Sequence, residues 1–388
     1  MMVAKIRLNL RFLVKLVVTI ASVIFYCEFL HYSVVLYQCH WPALNPQTAN
    51  QNITDKGTQL HAMVLADTHL LGSRNGHWFD KLRREWQMHR AFQTAVALHK
   101  PNVFIFLGDL FDEGKWCRPE EFVEYVARFH DLFSVPEDAH VLIAVGNHDI
   151  GFHYSVNPYL VNRFQRAFDV GPVKMLQIEG VTFIILNSMA MEGDNCFLCK
   201  PALNRVKIIS KQLSCAAGDS EACRHWQSLA LHQYSDPIIL QHYPLFRESD
   251  AVCNEPDEAP ADIKNIMFRE RWECISKDST EMLLELLSPR LVLSGHTHHG
   301  CHVKHMNQGS ATHEYTIPSF SWRNKRNPTF SMLTVSSNNY SIYKCHMPQE
   351  ITVISIYVIS TACVIAWLVK KKVRSQGIIY TKVSRHID

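Results

Sequence analysis

The sequence predicts an α/β layered domain held between two membrane helices, and three observations carry that reading. Short apolar runs alternate with amphipathic helical patterns from His61 onward. Two longer apolar runs lie outside them, one near each end. Five of the short runs are followed within three residues by Asp, Asn or His. At 388 residues the chain has room for one large domain plus extra segments. With 47% hydrophobic and 19% charged residues it cannot be a disordered, collagen-like or coiled-coil chain.

In chain order, residues 1–15 carry four basic and no acidic residues, and Leu16 to Tyr37 is apolar except for Glu28 and His31, long enough to span a bilayer. The alternative, a cleaved signal peptide, would want a small-x-small site after the run, and none clearly follows. Residues 38–59 form a polar linker, and 60–346 are the candidate domain. Within it Ala62 to Ala66, Val103 to Leu107, His140 to Val145, Val181 to Leu186, Pro237 to Leu240 and Arg290 to Leu293 are apolar but for His140, Thr182 and Arg290, as strands buried on both faces are. Phe79 to His99 and Pro119 to Phe133 repeat apolar residues every three or four positions and are expected to be helices. Residues 191–233 form a polar, Cys-rich insert outside the repeating pattern. Tyr315 to Pro318, Phe330 to Val335 and Tyr340 to Lys344 alternate like antiparallel strands. Residues 351–369 are an uncharged second span, followed by the tail 370–388.

The formal net charge is +3, but its sign is segregated. Ten of the 39 basic residues lie at the two ends, leaving 29 against 34 acidic residues in the middle, the wrong sign for gripping nucleic acid. Lys5, Arg7, Arg11 and Lys15 precede the first span and Lys370-Lys371-Lys372 follow the second, so both termini are expected to be cytoplasmic and the middle lumenal or external. Sequons at Asn52-Ile53-Thr54 and Asn339-Tyr340-Ser341 make Asn52 and Asn339 candidate glycosylation sites. All cysteines but Cys27 and Cys363 lie in or beside the middle segment. Cys196, Cys199, Cys215 and Cys223 suit disulfides in an oxidising compartment better than zinc, which wants a second closely spaced pair.

The chemistry collects at the C-terminal ends of the strands. Asp67-Thr68-His69, Gly108-Asp109-Leu110-Phe111-Asp112, Gly146-Asn147-His148-Asp149, His242 and Gly295-His296-Thr297-His298 follow successive apolar runs. Any one fragment alone is more often a turn with a capping Asp or Asn. Five in series bring oxygen and nitrogen donors to one sheet edge, a set suited to Mn²⁺, Fe²⁺ or Zn²⁺. So many donors suit two ions about 3.5–4 Å apart with a shared carboxylate, for which Asp109 is the candidate, and a shared water activated to attack phosphorus. His299 and His302 follow the last motif but are surplus to such a pair.

In order and spacing these motifs resemble the calcineurin-like metallophosphoesterase family, from Leu60 to Tyr343. The resemblance implies a four-layer α/β/β/α sandwich, here flanked by the two spans. It implies Asp67 and His69 as ligands of a first ion, Asp109 as the bridge, Asn147 and His242 as ligands of a second, and His296 and His298 as one ligand to each. His148 matches the family's phosphate-contacting histidine, able to protonate a leaving oxygen, with Asp149 orienting its imidazole. The second motif carries no tyrosine, so the resemblance is to divalent, Mn²⁺-type centres and not to ferric purple acid phosphatases.

The two spans and the stretch Pro318-Ser319-Phe320-Ser321-Trp322-Arg323-Asn324 look more closely like the family members that remodel GPI anchors. Those phosphodiesterases remove an ethanolamine-phosphate branch from the second mannose of protein-attached anchors as they pass from endoplasmic reticulum to Golgi. The tail lacks a lysine at the third or fourth position from the end, unlike dilysine retrieval signals. The resemblance implies GPI-anchored proteins as substrate, a membrane setting at ER exit sites, the ER–Golgi intermediate compartment or cis-Golgi, and contact with cargo or coat machinery. Trp322 and Arg323 are candidates for stacking a mannose and holding a phosphate, the alternative being a packed loop. Competing readings are a lumenal or ecto-phosphatase for nucleotides or small phosphate esters, and a non-catalytic trafficking receptor or scaffold. Decay of the ligand set, which the last would predict, is absent.

Overall fold

The computed structural model describes residues 10–44, 59–223, 231, 233–307 and 310–384. They divide into two units, Leu36–Met347 and the terminal segments Met1–Val35 with Pro348–Asp388.

The larger unit contains eleven strands: β1 Leu60–Leu65, β2 Val103–Phe106, β3 His140–Ile143, β4 Val173–Ile178, β5 Val181–Leu186, β6 Ile238–Leu240, β7 Leu291–Ser294, β8 Cys301–Asn307, β9 Ser310–Thr316, β10 Thr329–Val335 and β11 Tyr340–His346. One sheet has the order β11-β10-β1-β2-β3 and the other β4-β5-β6-β7-β9-β8. In the first, β1, β2 and β3 run parallel and the hairpin β10–β11 closes antiparallel on β1. In the second, β5, β6, β7 and β9 are parallel, with β4 and β8 as antiparallel edges.

Strand side chains alternate between faces, and the alternation builds the layers. Ala62, Val64, Val103 and Ile105 of the first sheet meet Phe183, Ile185, Ile238, Leu240, Leu291 and Leu293 of the second in one buried core. Each of these side chains larger than alanine contributes about 1.5–3 kcal/mol on leaving water. The opposite face of β2 carries Phe104 and Phe106, which pack against Phe92, Phe129 and Phe133 of the flanking helices Trp78–His99 and Pro119–Leu132 and the residue after. Helices Cys199–Ala216 and Lys277–Leu287 cover the second sheet. The result is the expected α/β/β/α order.

Two strands lie outside the sequence expectation. β4 and β8 are edges, half-exposed and carrying Lys174, Gln177, His302, Lys304 and His305, so neither reads as an apolar run. Residues 191–233, read as an insert, instead contain helix Cys199–Ala216 on the crossover from β5 to parallel β6. Ala202, Val206, Ile209 and Leu213 form its buried stripe, which cysteines and charged neighbours obscure in the sequence.

Four disulfides, Cys39–Cys345, Cys196–Cys199, Cys215–Cys223 and Cys253–Cys301, all lie in this unit. Asn52 falls outside the described residues. Asn339 does not suit the glycosylation expectation: it is 5% exposed, and its Oδ1 accepts the Tyr340 N–H in the β10–β11 turn, which would have to open around a glycan.

In the terminal unit, Leu10–Leu36 and Glu350–Val373 are long and apolar enough to cross a membrane, and 6% of either apolar window is buried by protein. The charge that interrupts the first run is matched within the unit, since the Tyr357 hydroxyl donates to the Glu28 carboxylate. Phe12 stacks on Trp367 with centroids 5.1 Å apart.

Candidate metal centre

The five predicted motifs converge. Where the parallel strands end, the chain turns through the left-handed region at Asp67, His69, Asp109, His296 and His298, with φ between 44° and 73°. That conformation costs about 1–3 kcal/mol for a residue with a side chain. It aims each donor back over the sheet edge. Glycines make the approach possible: a Cβ on Gly146 would stand 2.1 Å from Oδ1 of Asp109, and one on Gly295 2.9 Å from Oδ2 of Asp67. The first loop is clamped by the Pro318–Asn324 stretch, where Ser319 Oγ donates to the Asp67 carbonyl at 2.8 Å.

Two donor groups result, Asp67, His69 and His298 on one side and Asp109, His242 and His296 on the other. Oδ2 of Asp109 lies 3.4 Å from Nε2 of His69 and 3.3 Å from Nε2 of His242, midway between the groups, as a bridge must. Nε2 of His298 is 3.3 Å from Nε2 of His69 and 3.6 Å from Oδ1 of Asp67. Nε2 of His242 is 3.2 Å from Nδ1 of His296 and 3.1 Å from Oδ1 of Asn147.

The outer hydrogen bonds decide which ring nitrogens face the centre. His242 Nδ1 meets the Leu107 carbonyl at 2.8 Å and His296 Nε2 the Trp272 carbonyl at 2.7 Å. His69 Nδ1 meets Oδ1 of Asp112 at 3.2 Å. These oxygens only accept, so each of those nitrogens carries a proton, and it is the other nitrogen of each ring whose lone pair a cation would engage. Converging lone pairs repel unless a positive charge sits among them. Atoms held about 2.0–2.2 Å from a common ion stand about this far apart, so the residues fit two divalent cations.

Electrostatics point the same way. Burial opposes charge on all four histidines, but Asp112, Asp67 and Asp109 outweigh it at His69, pushed up to about 10, and Asp109 does so at His242, pushed up to about 9. Burial and the neighbouring charges bring His296 down to about 3 and His298 to about 4. The cage therefore draws positive charge to both halves, which is what cations supply. Burial also opposes the charge of Asp112, but its bonds to His69 and the Arg323 charge hold it down to about 2.

Two expected roles need correction. Asp149 does not orient His148: its Oδ1 accepts the Phe111 N–H at 3.0 Å and its Oδ2 the Gly146 N–H at 2.9 Å, bracing the second motif against the third. Burial first, and the Asp109 charge second, push its carboxyl up to about 7. His148 is set instead by the Asp112 carbonyl, which accepts from Nδ1 at 2.8 Å. Its side chain remains 29% exposed, the open edge of the cluster. Trp322, offered for sugar stacking, is 7% exposed and lies under the Arg83 guanidinium. Arg323 is near the site but occupied, with Nη2 2.9 Å from Oδ2 of Asp112. The packed-loop reading of that stretch holds because its residues buttress Asp67 and Asp112.

Sequence reasoning gave Asp112 no role beyond marking the subfamily, yet it joins His69, Asn75 and Arg323. Its position three residues after Asp109 was the available signal. His302 lies apart, stacked on Tyr315 and bonded to His313.

Comparison with known proteins agrees with this geometry. The calcineurin-like phosphoesterase profile matches residues 60–300. Metallophosphoesterase 1 of Gallus gallus is 44% identical over 347 residues, covering 89% of this chain and 86% of that protein. Metallophosphoesterase 1 of Xenopus laevis is 42% identical over 365 residues, covering 91% and 88%. Among solved structures, a purple acid phosphatase from yellow lupin seeds is similar at 12% identity and a TM-score of 0.44, covering 76% of this chain and 53% of that one. With its motifs assembled into a two-ion donor cage, this chain belongs to the calcineurin-like phosphoesterase family and is a metal-dependent phosphoesterase.

Proposed function

We propose that the protein is a membrane-anchored phosphodiesterase that removes the ethanolamine-phosphate branch from the second mannose of protein-attached GPI anchors. The observation that carries this reading is the chain order: a phosphoesterase unit with its donor set intact is bracketed by two helices long enough to cross a bilayer. An enzyme fixed to the membrane through both ends suits a substrate that is itself lipid-anchored. The unit faces the lumen, as the flanking lysines and arginines argue. The confinement of all four disulfides to it supports the same side. Working compartments are the ER exit sites, the ER–Golgi intermediate compartment and the cis-Golgi, and GPI-anchored proteins and their transport machinery are the partners. Mn²⁺ is the favoured pair, given oxygen and nitrogen donors without thiolate.

When bound, the ions supply Lewis acidity and a nucleophilic water at neutral pH. The chain's own part is to place and neutralise. Asp67, His69, Asp109, Asn147, His242, His296 and His298 hold the pair. His148, partly exposed and fixed through Nδ1, presents Nε2 to the phosphoryl group and its leaving oxygen. The test is mass spectrometry of GPI glycans from cells lacking the protein. An extra ethanolamine phosphate on the second mannose, removed by re-expressing the wild type but not Asp109→Asn, is the expected result. Unchanged glycans would overturn the substrate assignment.

A further inference from the structure

We propose that Phe152, Tyr154 and Trp272 form a shelf beside the metal centre that receives the sugar ring carrying the scissile phosphate. This rests on the glycan reading above and assigns it residues. The three rings lie at small mutual angles. Phe152 and Tyr154 are 5.8 Å apart at 10°, Tyr154 and Trp272 4.9 Å at 29°, and Phe152 and Trp272 4.9 Å at 36°.

Both ends of the shelf are joined to the centre through the backbone. The Trp272 carbonyl accepts from His296 Nε2 at 2.7 Å, and Phe152 lies two residues beyond the helical turn Asn147–Ile150, which carries Asn147 and His148. The turn holding Phe152 and Tyr154 is pinned between them, where His153 Nδ1 meets the Met189 carbonyl at 2.8 Å. The shelf is therefore built in advance of binding, and its outer ring stays open, with Tyr154 64% exposed.

The charges around the rings select the occupant. Lys115 Nζ stands 4.8 Å from the Phe152 ring and 4.7 Å from Trp116, and the Lys115 backbone N–H donates to the His148 carbonyl at 2.8 Å. The Arg269 guanidinium stands 4.5 Å from the Trp272 ring but is paired with the Glu273 carboxylate, to which its Nε and Nη2 both donate, so Lys115 is the cation that faces a ligand. A purely apolar ligand has no use for the Lys115 ammonium at its rim. A pyranose phosphodiester uses both features: one face of the ring is lined with C–H groups that pack on an aromatic face, while its phosphate anion meets Lys115. A nucleobase would stack as well but brings no hydroxyl rim, so it is the competing occupant.

The experiment uses the full chain, metal-loaded, with three ethanolamine-phosphate diesters: of methyl mannoside, of adenosine and of ethanol. Tyr154→Ala is expected to lower the mannoside-to-ethanol ratio of kcat/KM about tenfold, the scale of one lost apolar contact. Tyr154→Phe, which keeps the ring, should preserve the ratio. Saturation-transfer NMR with methyl mannoside should show contact in the wild type that Tyr154→Ala loses. A ratio unchanged in Tyr154→Ala, an equal fall in Tyr154→Phe, or a larger loss on the adenosine ester would overturn the shelf while leaving the proposed function standing. A wild type that cleaved the ethanol ester and not the mannoside ester would overturn both.

Discussion

Oδ1 of Asp109 accepts the backbone N–H of His148 at 2.7 Å, so the candidate bridging carboxylate and the histidine proposed to face the phosphate share one hydrogen bond. The other oxygen of Asp109 lies between His69 and His242. One carboxylate thus serves both halves of the cage and sets the loop that approaches the substrate.

Asp109→Asn should abolish turnover and lower bound metal, because a neutral amide cannot offset two cations. Gly146→Ala should do the same without replacing a ligand, since its Cβ would collide with Oδ1 of Asp109 at 2.1 Å and displace that carboxylate. Metal content by mass spectrometry checks both, and full occupancy with normal turnover in either variant would refute the bridge.

His148→Ala should keep its metals and lose about 10²–10⁴-fold in kcat on a diester with a poor leaving group, the usual share of general acid–base catalysis. A nitrophenyl diester, whose leaving group needs no proton, should lose much less. Burial lowers this imidazole from its ordinary 6.5. Its acid form is lost as pH rises through that lowered value, so wild-type kcat on the poor leaving group should fall along that limb, and the fall should vanish in His148→Ala. Equal losses on both esters would make its role purely electrostatic.

Asp112→Asn should weaken metal binding about 10–100-fold, the usual effect of an outer partner of a ligating histidine. It removes the acceptor that holds His69 Nδ1 and the anchor of Arg323. Arg323→Lys should be milder, because a single ammonium can still meet Oδ2 of Asp112. Metal titration separates this positioning role from a phosphate contact, which would move KM at full occupancy instead.

Cys39→Ser should destabilise the unit by about 2–4 kcal/mol. The Cys39–Cys345 bond ties residues 306 apart, joining the segment ahead of β1 to β11. Thermal melts with and without reductant read the effect, and identical melting temperatures would argue that the bond does not form.

The sequence by itself determined the elements whose physical signal is local. Buried strands such as Val181–Leu186 are apolar at every position but Thr182, and their bounds match the observed strand. Five strand-end motifs named the donors, because metal ligation restricts residue type more tightly than packing does. Tertiary structure alone decided matters in which the partner is remote in sequence. Nothing local marks β4 or β8, whose edge positions leave them half in water. Asp149 and His148 are neighbours in the chain, yet the helical turn points the carboxylate back to the Phe111 and Gly146 amides and hands His148 to the Asp112 carbonyl. Trp322 has the side chain of a sugar-stacking residue but is buried, whereas Phe152, Tyr154 and Trp272, scattered over more than a hundred positions, form one stack that reaches solvent at Tyr154. Residue type sets which chemistry a side chain is capable of, and burial and partners, which only folding assigns, set whether it is free to perform it.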